Sequence, residues 1–375
     1  MNFGFTDEQE LLRAEVRKFL DAKAPLEEVR KQSESEEGFD RDLWREMAGL
    51  GFVGLTIPEE YGGAGLDLVT LLVLLEEAGR TLLPSPLIST VIAAQAIQRF
   101  GSEQQRKRWL PGLADGSQIG TLALLEASDD LAPAGLQLEG KPDGDEIILG
   151  GRKLFVPDAG KADLFIVAIR RGADPEDIGL VVVEKATEGV SASDSPAMDL
   201  TKRLGGLVLD DVRVSTDSVL GGEGAGWPAV QELIDLGAAL VTAESVGAAE
   251  GALTITTDFA KEREQFDSKI GRYQGVKHPL AEMYVDAESF KSLVYYGAWC
   301  FDNRPEELSR YASLAKAYAT EAFVRTGIDS IQFHGAMGFT TAEDIHLYFK
   351  RSKWARPMFG DAETHYDRVV EMRGN

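Results

Sequence analysis

Between Gly116 and Gly222 the apolar residues stop recurring at helical spacing and fall into short β-branched or aliphatic runs, while the stretches on both sides keep a 3.6-residue period. A chain with this order has to pair strands in its middle and pack helices at its ends. The expected class is therefore mixed α and β, with an N-terminal helical domain (1–117), a middle β-barrel-like domain (118–222) and a C-terminal four-helix bundle (223–375). The first helix is announced by Thr6-Asp7-Glu8-Gln9, a capping-box pattern, followed by Leu11, Leu12, Val16, Phe19 and Leu20 at helical spacing. Further helices are expected near 41–50, 67–80, 87–100 and 102–115, with a compact glycine-rich turn at Pro58–Gly65. Strands are expected at Gly120–Leu125, Glu146–Leu149, Lys153–Val156, Leu164–Ile169 and Ile178–Val183. The chain turns helical again at Gly222-Glu223-Gly224-Ala225-Gly226-Trp227, and the segments 227–262, 274–302, 305–334 and 342–371 read as the four bundle helices. The first two carry Leu236, Leu240, Val246, Leu253, Phe259, Val276 and Leu280, more apolar residues than one buried face needs, so part of that surface is expected to meet another subunit.

Charge narrows the partners. With 62 acidic and 39 basic residues the net charge is −23, which repels nucleic acid and anionic lipid. A phosphate-bearing ligand has to be held at a local cluster of arginine, lysine and backbone amides. The longest apolar run is broken by Glu76 and Glu77, so no membrane span is expected. The first residues lack a basic region ahead of an apolar stretch and read as a cytoplasmic start. One cysteine, Cys300, rules out an intramolecular disulfide, and its apolar helical surroundings suit a buried, inert thiol. The four histidines have no metal-ligand spacing, so no metal is expected.

Several short motifs stand in a telling order. They are Phe5-Thr6-Asp7-Glu8-Gln9, Gly51-Phe52-Val53-Gly54, Pro58-Glu59-Glu60-Tyr61-Gly62-Gly63, Phe100-Gly101-Ser102-Glu103-Gln104-Gln105 with Trp109-Leu110-Pro111, and Gly151-Arg152-Lys153-Leu154-Phe155. Lys261-Glu262-Arg263-Glu264-Gln265-Phe266-Asp267, Tyr273-Gln274-Gly275-Val276-Lys277-His278 and Gln332-Phe333-His334-Gly335-Ala336-Met337-Gly338-Phe339-Thr340 follow. Together they resemble the acyl-CoA dehydrogenases from end to end.

The resemblance implies the acyl-CoA dehydrogenase fold, FAD as cofactor and an acyl-CoA thioester as substrate, with electron-transfer flavoprotein the usual acceptor. A carboxylate base takes the α-proton while the flavin takes the β-hydrogen as hydride. In that family one subunit holds the flavin ring from its β-domain, and a neighbour reaches the diphosphate and adenosine from its bundle. By resemblance, Arg263 pairs with the diphosphate, Phe266 packs on the cofactor, and Gln265, Gln274, Gln332, His334 and Gly335 line the same region. His334 reads equally as a core histidine, while His278 and His346 read as structural.

The ring-holding half departs from the pattern. Where the family has Thr-Glu-Pro and a Gly-Ser-Asp loop, this chain has Leu125-Glu126-Ala127-Ser128-Asp129-Asp130. Where the family has Trp-Ile-Thr-Asn, it has Phe155-Val156-Pro157-Asp158, and Pro157 has neither hydroxyl nor amide hydrogen. The usual Glu-Gly base position reads Phe359-Gly360, and a second family location falls at Gly237. Asp361 and Asp235 are the remaining candidates for a catalytic carboxylate, although the usual arginine companion of Asp235 is Ala238 and both also read as solvated helix-end groups. The pattern resembles the base-lacking subunit of bacterial heterotetrameric acyl-CoA dehydrogenases of the steroid-CoA type, which implies a second acyl-CoA dehydrogenase subunit as partner. A self-sufficient homotetramer with an unconventional base and a non-catalytic scaffold of the same fold remain open.

Overall fold

The structure, a computed structural model, describes residues 5–174, 176–222 and 226–373. The Met1–Gly4 start and the Glu223–Ala225 part of the glycine-rich passage lie outside the described residues. Along the chain run α1 (Asp7–Lys23), α2 (Leu26–Glu34), α3 (Arg41–Gly49), α4 (Leu68–Arg80), α5 (Leu87–Phe100) and α6 (Glu103–Ala114). Then come β1 (Gly120–Ala123), β2 (Gly140–Asp143), β3 (Glu146–Pro157), β4 (Leu164–Arg170), β5 (Ile178–Glu184), β6 (Val190–Ser195), β7 (Leu204–Ser215) and β8 (Val219–Leu220). The rest comprises α7 (Gly226–Glu262), β9 (Glu264–Gln265), β10 (Ser268–Lys269), α8 (Gln274–Asn303), α9 (Pro305–His334), α10 (Ile345–Ala355) and α11 (Ala362–Arg373). The mixed α and β class and the helix–strand–helix order are those expected.

The chain forms two compact units that do not follow sequence order. One gathers residues 1–35, 67–84 and 238–375; the other gathers 36–66 and 85–237.

The first unit is helical. α1 starts on the expected capping box: Thr6 Oγ1 accepts from the Gln9 amide at 3.2 Å, and the Thr6 amide donates to Gln9 Oε1 at 3.0 Å. α4 and α7 pack backbone to backbone. A Cβ added at Gly79 would lie 1.9 Å from the Glu244 carbonyl oxygen, and one at Gly247 would lie 1.7 Å from that of Glu76, so only glycine permits the approach. Two carboxylates sit inside this crossing. Glu76 receives Arg13, Lys291 Nζ at 2.7 Å and the Tyr295 hydroxyl at 2.7 Å. Glu77 receives Arg17 at 2.7 Å and Arg80 at 2.9 Å. Charges this deeply buried persist because each is paired and hydrogen-bonded.

The second unit joins α3, α5 and α6 to two four-stranded sheets, ordered β1-β4-β5-β8 and β2-β3-β7-β6. Only the β1–β4 pairing is parallel among the pairs within these sheets. β4 and β5 are buried along almost their whole length, which explains their unalternating Leu, Ile, Val and Phe composition. Gln105 on α6 ties helix to sheet by donating to the carbonyls of Asp217 (2.7 Å) and Val219 (2.9 Å).

Three expectations need correction. The segment 342–371 is two helices, not one: Pro357 supplies no amide for a continuing helix, and Phe359 (φ 57°) and Gly360 (φ 101°) turn the chain. The runs 146–149 and 153–156 belong to one strand, β3, whose register against β7 shifts between Leu149 and Gly151 and between Lys153 and Val156. Of the apolar residues expected to be in surplus, Leu236, Leu240 and Val246 are fully buried within the chain and Leu253, Phe259, Val276 and Leu280 are half-buried, while Phe266, Tyr284, Val285, Ile328 and Phe339 are among the exposed apolar side chains. No helix among the described residues is long and apolar enough to cross a membrane, and no group of three or more His, Cys, Asp or Glu side chains among them could hold a metal ion. Cys300 is buried, and burial raises its thiol pKa.

Candidate cofactor-binding site

At the end of α7 the chain enters a two-residue hairpin, β9–β10, with Gln265 opposite Ser268 and Glu264 opposite Lys269. Its tip is Phe266-Asp267, both at positive φ (53° and 58°), which is the mirror-image turn that two-residue hairpins prefer. That conformation usually falls to Asn-Gly; here it thrusts a phenylalanine into solvent, with Phe266 89% exposed. The Tyr273 hydroxyl donates to the carbonyls of Gln265 (3.1 Å) and Phe266 (3.3 Å) and holds the tip in place.

The charges of this segment sort themselves. Lys269 pairs with Glu264 at 3.0 Å and donates to the Glu262 carbonyl at 2.8 Å, satisfying the end of α7. Lys261 pairs with Asp258 at 2.9 Å. The Gln265 side chain folds back onto the Glu264 carbonyl. Arg263 is exposed, and its guanidinium has no acidic partner among the described residues. A chain with 62 acidic residues and a net charge of −23 that still leaves an arginine unpaired has a cation available to an external anion.

The second group of candidates lies at the same end of this unit. Phe259, one turn before Arg263, stacks on His334 with ring centroids 4.2 Å apart. The His334 Nδ1–H donates to the Ser330 carbonyl at 2.8 Å, so Nε2 carries the lone pair, and it is buried without a hydrogen-bond partner. Gly335 follows at φ 62°, ψ −140°, a conformation essentially restricted to glycine, and nothing occupies the space a Cβ would take. Gln332 and Gly335 are exposed, and so is Phe339 at 83%. Gln274 and Gly275, also exposed, open the 30-residue helix α8, whose N-cap Tyr273 makes no side-chain capping bond. An unpaired guanidinium, a bare glycine corner and exposed aromatic rings fit the phosphate and adenosine portion of a dinucleotide.

Several polar groups of the ring-side segments in the other unit are held within their own fold. In the loop after β1 the amides of Asp129, Ala132, Gly135, Leu136, Gln137 and Leu138 are all spent on groups within residues 126–138. Glu126 is the hub: its carboxylate accepts from the Gln137 and Leu138 amides, both at 3.0 Å, and from buried Lys153 Nζ at 2.7 Å. Burial lowers the Lys153 pKa, and the Glu126 charge opposes that shift. The Pro157 carbonyl accepts from Thr121 at 2.6 Å, and the Asp158 carboxylate is held by the Ser89 hydroxyl at 2.6 Å. Lys153→Met is expected to cost about 2–3 kcal/mol by stranding Glu126. The check is a denaturation midpoint together with protease cleavage within 126–138; an unchanged midpoint would remove Glu126 as the hub.

Neither remaining carboxylate stands free as a base. Asp361 caps α11, accepting from the Thr364 amide (3.1 Å) and hydroxyl (3.0 Å), and the amide bond is the main reason its pKa is lowered. Asp235 is buried within α7 and accepts from Gln231 at 3.3 Å. Phe359 and Gly360 sit in the turn between α10 and α11.

Ser313, Lys316 and His365, buried polar side chains around that turn, were not singled out from sequence. The available signal was Lys316 on the alanine-rich stripe Ala312, Ala315, Ala319 of α9, where a charge is out of pattern.

Comparison with known proteins matches residues 6–117 to the acyl-CoA dehydrogenase N-terminal domain and residues 224–372 to the acyl-CoA dehydrogenase C-terminal domain. The acyl-CoA dehydrogenase IpdE2 of Mycolicibacterium smegmatis is 32% identical over 97% of this chain and 98% of its own length. The steroid ACAD Tcur3481-Tcur3483 has a similar structure (TM-score 0.89, 33% identity, 98% of both chains). So does the ChsE4-ChsE5 complex from Mycobacterium tuberculosis (TM-score 0.91, 26% identity, 100% of this chain and 99% of that one).

Proposed function

Because this chain belongs to the acyl-CoA dehydrogenase family, FAD-dependent oxidoreductases acting on CH–CH bonds, we propose that it works as one subunit of a two-component acyl-CoA dehydrogenase, lending Arg263 and its surroundings to FAD held by a different subunit. The observation that carries this reading is the split between the two halves of the site. Arg263 is left unpaired and Phe266 is held exposed, whereas six amides of the 126–138 loop and the carboxylates of Glu126 and Asp158 are committed to their own fold. The two-component names of ChsE4-ChsE5 and Tcur3481-Tcur3483 add support for a dissimilar partner, and the description of the latter as a steroid ACAD favours a bulky, ring-bearing acyl group on the CoA thioester.

In this assembly FAD, when bound, supplies the hydride acceptor. What this chain does is bind and orient. The Arg263 fork meets diphosphate oxygens with matching charge and planarity. Phe266 covers an apolar face of the cofactor, and Gly335 lets backbone approach where any side chain would intrude. The α-proton of the thioester goes to a carboxylate of the partner, since Asp361 and Asp235 are otherwise engaged here. Electron-transfer flavoprotein is the acceptor proposed for the reduced assembly, and the cytoplasm its location.

Purification of the chain alone and together with a base-bearing dehydrogenase subunit tests the reading. The chain alone is expected to be colourless and inactive, and the complex yellow and active. A yellow preparation of the single chain that turns over acyl-CoA overturns it.

A further inference from the structure

A face of the helical unit that the cofactor grip touches only at its Gln332 end runs along α8 and α9. Glu321, Arg325, Ile328 and Gln332, spaced four, three and four residues apart on α9, share one side of that helix, and all four are exposed. On α8 the exposed Ala281, Val285 and Glu288 share a side in the same way. The two helices are tied across this face, because the Asp286 carboxylate accepts from the Tyr318 hydroxyl at 2.7 Å and from the Arg325 guanidinium at 2.5 Å. Tyr366 of α11 extends it by donating to Glu321 at 3.0 Å. Tyr284 (58% exposed), Val285 (59%) and Ile328 (49%) leave apolar surface in water here, on rigid helix rather than on loop. Apolar surface grouped in this way marks a contact site.

The charges on this face do not balance. Its cation, Arg325, is taken by Asp286. Asp329 lies one turn beyond Arg325 on α9, and Glu282 one turn before Asp286 on α8, so each carboxylate feels the other across the two helices. Among the described residues neither side chain has a hydrogen bond or an ion pair, and His278, one turn before Glu282, forms no ion pair either. Burial raises the Asp329 pKa, Arg325 opposes that shift, and Glu282 adds to it. The free chain thus holds two like charges side by side with no cation between them. A cation brought from outside relieves that repulsion, which is how charge on an interface selects a partner.

Two considerations fix what covers the face. A two-fold contact between copies sets a patch against itself, so self-docking would bring both acid pairs into one interface with no free cation from the face to meet them. A dissimilar subunit is under no such restriction. The face also runs into an interface already assigned: α9 continues from Ile328 to Gln332 and ends at Gly335, the corner that meets FAD held by a different subunit. We propose that the α8–α9 face is where the FAD-holding subunit docks, burying Val285 and Ile328 and setting an arginine or lysine between Glu282 and Asp329, and that this acid pair favours the dissimilar subunit over a second copy of this chain. The inference rests on the two-component reading above and adds what the partner carries and where.

The test measures association of the full chain with the base-bearing subunit, and of the chain with itself, by analytical ultracentrifugation. Ile328→Glu is expected to weaken the mixed complex at least about tenfold, as does loss of a central interface side chain. Glu282→Gln with Asp329→Asn is expected to weaken it by at least about tenfold and to flatten its salt dependence, while self-association of the chain grows. All three positions are exposed or half-buried, so the variants should fold, and an unchanged thermal midpoint checks that they do. At saturating partner each complex should still hold its flavin, since Arg263 is untouched. A yellow wild-type complex whose association ignores both variants overturns the docking face and leaves the two-component reading in place. A wild-type dimer of this chain that Ile328→Glu dissolves assigns the face to a second copy and also overturns the proposal. No mixed complex at all removes both the proposal and the reading beneath it.

Discussion

Arg263→Ala in the assembled complex is expected to weaken FAD retention by about 10- to 100-fold without disturbing the fold of this chain. The magnitude is that of a lost charge-assisted hydrogen bond, about 1.5–3 kcal/mol. The fold is spared because the guanidinium is exposed and pairs with nothing inside the chain, so its removal belongs with surface substitutions worth about 0.5 kcal/mol or less. Arg263→Lys keeps the charge but loses the planar fork, and an intermediate loss is expected. Flavin dissociation constants of the complex, measured at two salt concentrations, provide the check: wild type should weaken with salt more steeply than the alanine variant. Flavin content that does not respond to Arg263→Ala would leave only the scaffold role for this chain.

Glu76→Gln is expected to destabilise the helical unit by about 3–5 kcal/mol, the cost of removing one partner from a buried ionic cluster. Glu76 is 1% exposed and meets Arg13, Lys291 and Tyr295. Burial alone would raise its pKa, but Lys291 and then Arg13 outweigh burial, and the carboxyl is held below its ordinary range. A carboxyl whose pKa is depressed on folding contributes stability that is present above its unfolded pKa and is lost as pH falls through the folded value. Wild type should therefore shed stability in acid more steeply than Glu76→Gln, with the two converging at low pH. Denaturant midpoints across pH measure this. Adding Lys291→Met to Glu76→Gln should deepen the loss, since Lys291 also pairs with Glu250 at 3.0 Å and its removal strands that carboxylate. A Glu76→Gln stability within about 1 kcal/mol of wild type at neutral pH would show that the cluster is not coupled as its distances indicate.

Much of the fold was legible because its cues are local. The Thr6–Gln9 box, the apolar stripes of α3 to α6 and the glycines of the Pro58–Gly65 turn act within a few residues of one another. Where reading failed, non-local pairing decided. β3 runs through Gly151 and Phe155 because β7 lies alongside, and periodicity could not register that partner. The break at 356–361 had a local cue in Pro357 and Gly360 that the strong flanking helical period obscured. In the candidate site, motif order pointed to Arg263, Phe266 and the Gln332–Gly335 corner as expectations. It could not tell that Glu264 prefers Lys269, which is what leaves Arg263 unpaired.

Sequence by itself determined the mixed class, the helix–strand–helix order, the family and the absence of a glutamate before Gly360, because period, motif and residue identity are properties of neighbours along the chain. Tertiary structure alone decided that Asp361 is a helix cap, that Asp158 is held by Ser89, and that Glu126 draws its loop amides inward. It also decided that a buried lysine and histidine hold the turn of Phe359. Each of these depends on which polar group finds which partner once the backbone has closed, and the energy of leaving a buried group unpaired enforces that choice across distances the linear order does not encode.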